Sequence, residues 1–107
     1  MATIYSYRQL TVWQKSVDLC TEVYLITEKF PKYEIYGLTS QIRRACVAIP
    51  SNIAEGHTRG HKQEFIQFLR IAYSSGAELE TQLIIAKNVG LLTTENYEQL
   101  VERLTEV

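Results

Sequence analysis

Phe65, Leu69, Ala72, Gly76, Leu79, Leu83, Ala86 and Gly90 follow one another in alternating steps of four and three residues without a miss. Residues three and four apart share one face of an α-helix, so this spacing marks a helix that buries a single apolar seam. At about 1.5 Å per residue the seam is about 40 Å long. In a chain of 107 residues such a rod has to be covered by other rods. No strand-like alternation competes with it, and no internal repeat or low-complexity segment interrupts it. The fold class that follows is all-α, an antiparallel up-down-up-down four-helix bundle forming one domain over residues 1–107.

Three further helices supply the cover. Trp13, Val17, Cys20, Tyr24 and Thr27 form one stripe of a first helix, and Leu19, Val23, Ile26 and Phe30 form a second stripe beside it. This helix runs roughly from Leu10 to Phe30, opening at Thr11 with Gln14 reaching back and stopping before Pro31, which cannot continue the hydrogen-bond ladder. Leu38, Ile42, Ala45, Cys46, Ile49 and Ile53 mark a second helix. Pro50 lies inside it, so a kink without a break is expected, with the end placed before Gly56. Gly56 to Gly60 then reads as a turn. After Gly90, Thr93 or Thr94 can cap a short last helix carrying Tyr97, Leu100, Val101 and Leu104. Gly76 in mid-helix costs about 1 kcal/mol relative to Ala, and close approach of a neighbouring backbone is its expected reason. The doubled stripe of the first helix offers more apolar surface than one small bundle can cover, which points to self-association.

Composition narrows the function classes. The formal net charge is -1, so the chain as a whole does not attract polyanions, and any nucleic-acid contact has to be a local patch. No signal-peptide pattern opens the chain, and no stretch approaches the roughly 18 apolar residues of a membrane span, which places the protein in the cytoplasm with no membrane partner. Cys20 and Cys46 fall at apolar helical positions and read as small core residues, not as a disulfide or metal pair.

The chemistry of known helical-bundle enzymes is missing. Two-metal bundles use a Glu-x-x-His step, and none occurs here. His57, His61 and Glu64 would share a helical face, but Gly56 and Gly60 argue for a turn, so these are solvated loop side chains and no metal is expected. Ser74 and Ser75 lie far from any predictable base, and no phosphate-cradling glycine loop is present. The expectation is no catalysis, no cofactor and no small-molecule substrate.

Two constellations remain. Gln41, Arg44, Ala48, Asn52 and Glu55 form a polar stripe on the second helix, and Ser75, Glu78 and Gln82 form a matching stripe on the third. They read as a hydrogen-bonded network within the bundle or at a subunit contact, with a ligand groove as the alternative. Between Arg43 and Arg70 the cations Arg43, Arg44, Arg59, Lys62 and Arg70 face only Glu55 and Glu64, a local basic region that can contact phosphates.

Leu10-Thr11-Val12-Trp13-Gln14, Phe30-Pro31 and Gly37-Leu38-Thr39-Ser40-Gln41-Ile42-Arg43-Arg44-Ala45 resemble a bacterial four-helix bundle family encoded in intervening sequences of 23S ribosomal RNA genes. The likeness continues through Ile49-Pro50-Ser51-Asn52-Ile53-Ala54-Glu55-Gly56, Arg59, Phe65, Phe68-Leu69 and Glu78-Leu79-Glu80-Thr81-Gln82-Leu83. It implies a homo-oligomeric closed ring, often a pentamer, with no established enzymatic activity. The family is similar to the basic accessory protein of diversity-generating retroelements, which associates with reverse transcriptase and nucleic acid. That likeness makes Arg43, Arg44, Arg59 and Lys62 the positions that would meet RNA or a ribonucleoprotein. The chain departs from the family at Ala48, where a serine is usual, and in the order of small residues from Tyr73 to Gly76. Its slightly acidic balance also fits a second expectation, a structural or protein-adaptor ring that touches no nucleic acid.

Overall fold

The computed structural model describes residues 6–107, which form four α-helices and two short 3-10 turns, with no strand among the described residues. Helix α1 spans Thr11–Thr27, α2 spans Leu38–Thr58, α3 spans Lys62–Asn88 and α4 spans Thr94–Thr105. The described part measures 49 × 21 × 19 Å, an elongated body set by the length of α3.

Helix ends follow local chemistry. Ahead of α1, Ser6 caps the first 3-10 turn by accepting from Arg8 N, and Gln14, instead of closing a capping box on Thr11, donates to the Arg8 carbonyl at 2.8 Å. Leu10, not Thr11, occupies the cap position of α1, without a side-chain bond. The helix ends at Thr27, three residues earlier than the apolar stripe suggests, and Phe30 is carried into the core by a turn in which its N–H donates to the Thr27 carbonyl. Helix α2 opens where Leu38 N donates to Glu34 Oε1, and it passes Pro50 without interruption. Thr93 caps α4 by accepting from Asn96 N at 3.0 Å.

The core draws on every helix. Leu19 and Val23 of α1, Ile42, Ala45, Cys46, Ile49 and Ile53 of α2, Ala72, Leu79, Leu83 and Ala86 of α3, and Leu100 of α4 are buried. Burial of each large aliphatic side chain stabilises the fold by about 1.5–3 kcal/mol. Helices α2 and α3 share the most extensive contact, α1 packs mainly on α2, and α4 touches α1 and α3 more lightly.

The structure corrects three expectations about glycine. Helix α2 does not stop before Gly56 but continues to Thr58, and the turn is made at Gly60, whose φ of +76° suits a residue without Cβ. Gly56 is instead the close-packing glycine, because a Cβ there would lie 2.6 Å from Phe68 Cβ and 3.2 Å from Phe65 Cδ1. A Cβ at Gly76 would meet only Leu104 Cδ1, at 3.6 Å. Gly90, counted in the α3 seam by its spacing, lies beyond the helix with φ +85°, and the N–H groups of Leu91 and Leu92 both return to the Ala86 carbonyl.

Candidate interaction surface

The two stripes of α1 part company in the fold. Leu19, Val23 and the appended Phe30 face the core, whereas Val17, Cys20 and Tyr24 turn toward a groove between α1 and α2. Leu25, Val47 and Pro50 complete this groove, and its lining is almost wholly apolar. Tyr24, Leu25 and Val47 are 42%, 59% and 40% exposed, and of these only Tyr24 belongs to the apolar stripes read on the first helix.

A second depression adjoins the first and shares Tyr24 and Val47 with it. Its wall adds Ile35, Ser40, Arg43 and Arg44. Arg43 is held in place: its Nε donates to Thr27 Oγ1 at 2.9 Å, its Nη2 reaches the Tyr24 carbonyl at 3.5 Å, and its guanidinium lies 4.5 Å from the Tyr24 ring centre. The buried Thr27 hydroxyl passes the chain of bonds on by donating to the Val23 carbonyl at 2.7 Å. Arg44 is exposed. The α1/α2 face is therefore greasy at one end and cationic at the other.

The four basic residues singled out in the sequence do not form one patch. Arg59 is sixteen positions along from Arg43, about 24 Å on a helix, and lies at the far end of α2 with Lys62 just across the turn. Arg59 is also occupied, donating to Glu55 Oε2 at 3.0 Å and Glu64 Oε2 at 3.3 Å, and it rests over the Phe68 ring. The Glu55 hydrogen bond raises its pKa further, so it stays fully charged while its field is locally cancelled. Lys62 is exposed.

The polar stripes likewise stay within their own helices. Asn52 Nδ2 donates to the Ala48 carbonyl at 2.7 Å, Glu55 pairs with Arg59, and Gln82 Nε2 donates to Glu78 Oε2 at 3.4 Å. Gln41 and Arg44 are exposed and Ser75 is half-buried. Among the described residues no hydrogen bond joins the α2 set to the α3 set, and the buried Gln82 Oε1 has no protein donor. His57 stacks edge-on against Phe65, His61 is exposed at the start of α3, and Glu64 is turned to Arg59. No group of three or more His, Cys, Asp or Glu gathers among the described residues, and none of their helices is long and apolar enough to cross a membrane.

What spacing did not foresee is the meeting of Cys20 and Cys46. The Cys46 thiol donates to Cys20 Sγ at 2.9 Å, and both are free. That hydrogen bond lowers the Cys20 pKa against the opposing effect of burial, and the same bond together with burial raises that of Cys46. Only the register of α1 against α2 brings them together.

A small all-α protein with an apolar face left open in the single chain is the class these features define. The chain belongs to the 23S rRNA-intervening sequence protein family, whose pattern it matches over residues 8–107. Among solved structures it is similar to a protein of unknown function from the S23 ribosomal protein family of Bacteroides thetaiotaomicron VPI-5482, with TM-score 0.79, 25% identity and 90% of each chain covered. No curated protein matches it.

Proposed function

We propose that this protein is a non-enzymatic cytoplasmic scaffold, a closed homo-oligomeric ring, pentameric as the resemblance in its sequence implies, of up-down-up-down bundles bent at Pro50. The ring holds structured RNA or a ribonucleoprotein through Arg43, Arg44, Arg59 and Lys62. One observation carries the self-association: Tyr24, Leu25 and Val47 form a contiguous apolar surface that a single chain leaves in water. Arg43 and Arg44 carry the RNA contact best, because they flank that surface and no carboxylate among the described residues pairs with them, and symmetric copies multiply their field.

Light scattering at micromolar concentration should give a mass several times that of one chain, and a monomer would overturn the scaffold. Filter binding to ribosomal RNA fragments should weaken steeply with salt and weaken further in the Arg43→Ala/Arg44→Ala variant. Unchanged binding would remove both residues from the contact. The adaptor reading without nucleic acid draws on the pairing of Arg59 with Glu55 and Glu64 and on the net charge of -1. It predicts an intact oligomer that retains no RNA even at low salt.

A further inference from the structure

Cys20 and Cys46 stand 26 positions apart in the chain and 2.9 Å apart at sulfur. They sit on different helices, so the contact is tertiary and closes when α1 packs on α2. The sulfurs need to approach by only about 0.9 Å to reach the ~2.05 Å of a disulfide. Their access to solvent differs. Cys46 is fully buried in the core, whereas Cys20 is half-buried and lines the apolar groove. A small neutral oxidant entering the groove meets Cys20 first and finds Cys46 behind it.

We propose that this pair is a peroxide-oxidisable dithiol in which Cys20 is the attacking sulfur and Cys46 the resolving one. The Cys20 thiolate attacks one oxygen of hydrogen peroxide, the O–O bond breaks, and Cys20 becomes a sulfenic acid with hydroxide released. Cys46 then attacks the Cys20 sulfur. Its S–H proton leaves with the sulfenic oxygen as water, and a Cys20–Cys46 disulfide remains, the peroxide having been reduced by two electrons. The hydrogen bond from Cys46 favours the Cys20 thiolate, the reactive form, and keeps the proton on the sulfur that acts second. The product ties α1 to α2 at the floor of the groove, and a thiol reductant reverses it.

The test treats the purified full chain with hydrogen peroxide, alkylates in denaturant and measures intact and peptide masses. The expected product lacks two hydrogens, takes no alkyl group and links the Cys20 peptide to the Cys46 peptide within one chain. With dimedone present, Cys46→Ala should leave a trapped sulfenic acid on Cys20, while Cys20→Ala leaves Cys46 unlabelled. Should either variant fail to fold, a dimedone time course on the wild type reads the same order of attack. Another copy covering the groove would slow the reaction, so Leu25→Glu, which opens the groove, is run beside the wild type. Two alkylatable thiols in both proteins, bridges only between chains, or dimedone on Cys46 before Cys20 would each overturn the proposal, whatever the oligomeric state.

Discussion

Gly56 and Gly76 both lie inside helices, yet the packing needs only one of them. A methyl at Gly56 would be driven into Phe68 Cβ, which is fixed to the α3 backbone and cannot swing aside, and Phe65 closes the other side. Gly56→Ala should therefore destabilise the fold by on the order of 1 kcal/mol net, the strain of about 1–3 kcal/mol exceeding the helix-propensity gain of about 1. Gly76→Ala meets ordinary contact with Leu104 and should stabilise by up to about 1 kcal/mol. Urea unfolding at one protein concentration reads the two shifts in opposite directions. The sequence points to Gly76 because it is a glycine inside an otherwise apolar helical seam, and the pairing with Gly60 reads Gly56 as a turn residue. Which glycine meets a neighbour depends on how α2 registers on α3, and no local spacing encodes that. Both cysteines fall at the core as their spacing predicts, but their contact with each other was hidden for the same reason. Their coupling has a pH signature: the bond from Cys46 lowers the Cys20 pKa and burial opposes it, so Cys46→Ala leaves burial alone. The pH at which Cys20 alkylation reaches half its maximal rate should move up in that variant, and a downward or absent shift would refute the hydrogen-bond account.

At the scale of elements, existence was legible throughout and ends only in part: the starts of α1 and α4 fall where the sequence places them, but the ends of α1 and α2 do not. Steps of three and four residues located all four helices, because every helix here buries an aliphatic stripe. Boundaries slipped where a residue had a reason to be apolar or to be glycine other than helical position, as with Phe30 beyond α1 and Gly56 inside α2. Helix α4 is the weakest element: it has 12 residues, and Leu100 is its one fully buried side chain, against seven buried residues in α2 and five in α3. Its start depends on the Thr93 hydroxyl, which accepts from Asn96 N. Thr93→Ala should cost about 1 kcal/mol. Hydrogen exchange should show α4 amides opening first in the wild type and faster still in this variant, with α2 and α3 little changed. Uniform acceleration along the chain would mean that α4 unfolds only with the rest.

For the whole molecule, spacing signalled only Tyr24 of the open α1/α2 face, and it did not signal the division of the basic residues. Arg43 and Arg59 belong to one sequence cluster, but most of the length of α2 separates them, and among the described residues carboxylates pair only with the second. Uncovered apolar residues include two groups on different sides of the described body: Tyr24, Leu25 and Val47 on the α1/α2 face, and Ile71, Ile85 and Val89 along and just beyond α3. A closed ring needs two unlike faces that fit each other, whereas a two-fold dimer needs only one that fits itself. If the α1/α2 groove of one copy receives the α3 face of the next, Leu25→Glu and Ile85→Glu each spoil one face and leave the other intact. Each variant alone should then fall to the mass of one chain in light scattering. An equimolar mixture should recover one good interface, between the α3 face of the Leu25→Glu chain and the groove of the Ile85→Glu chain, and so form two-chain particles that cannot grow. Rings that survive either substitution, or a mixture that stays monomeric, would rule out this pairing of faces.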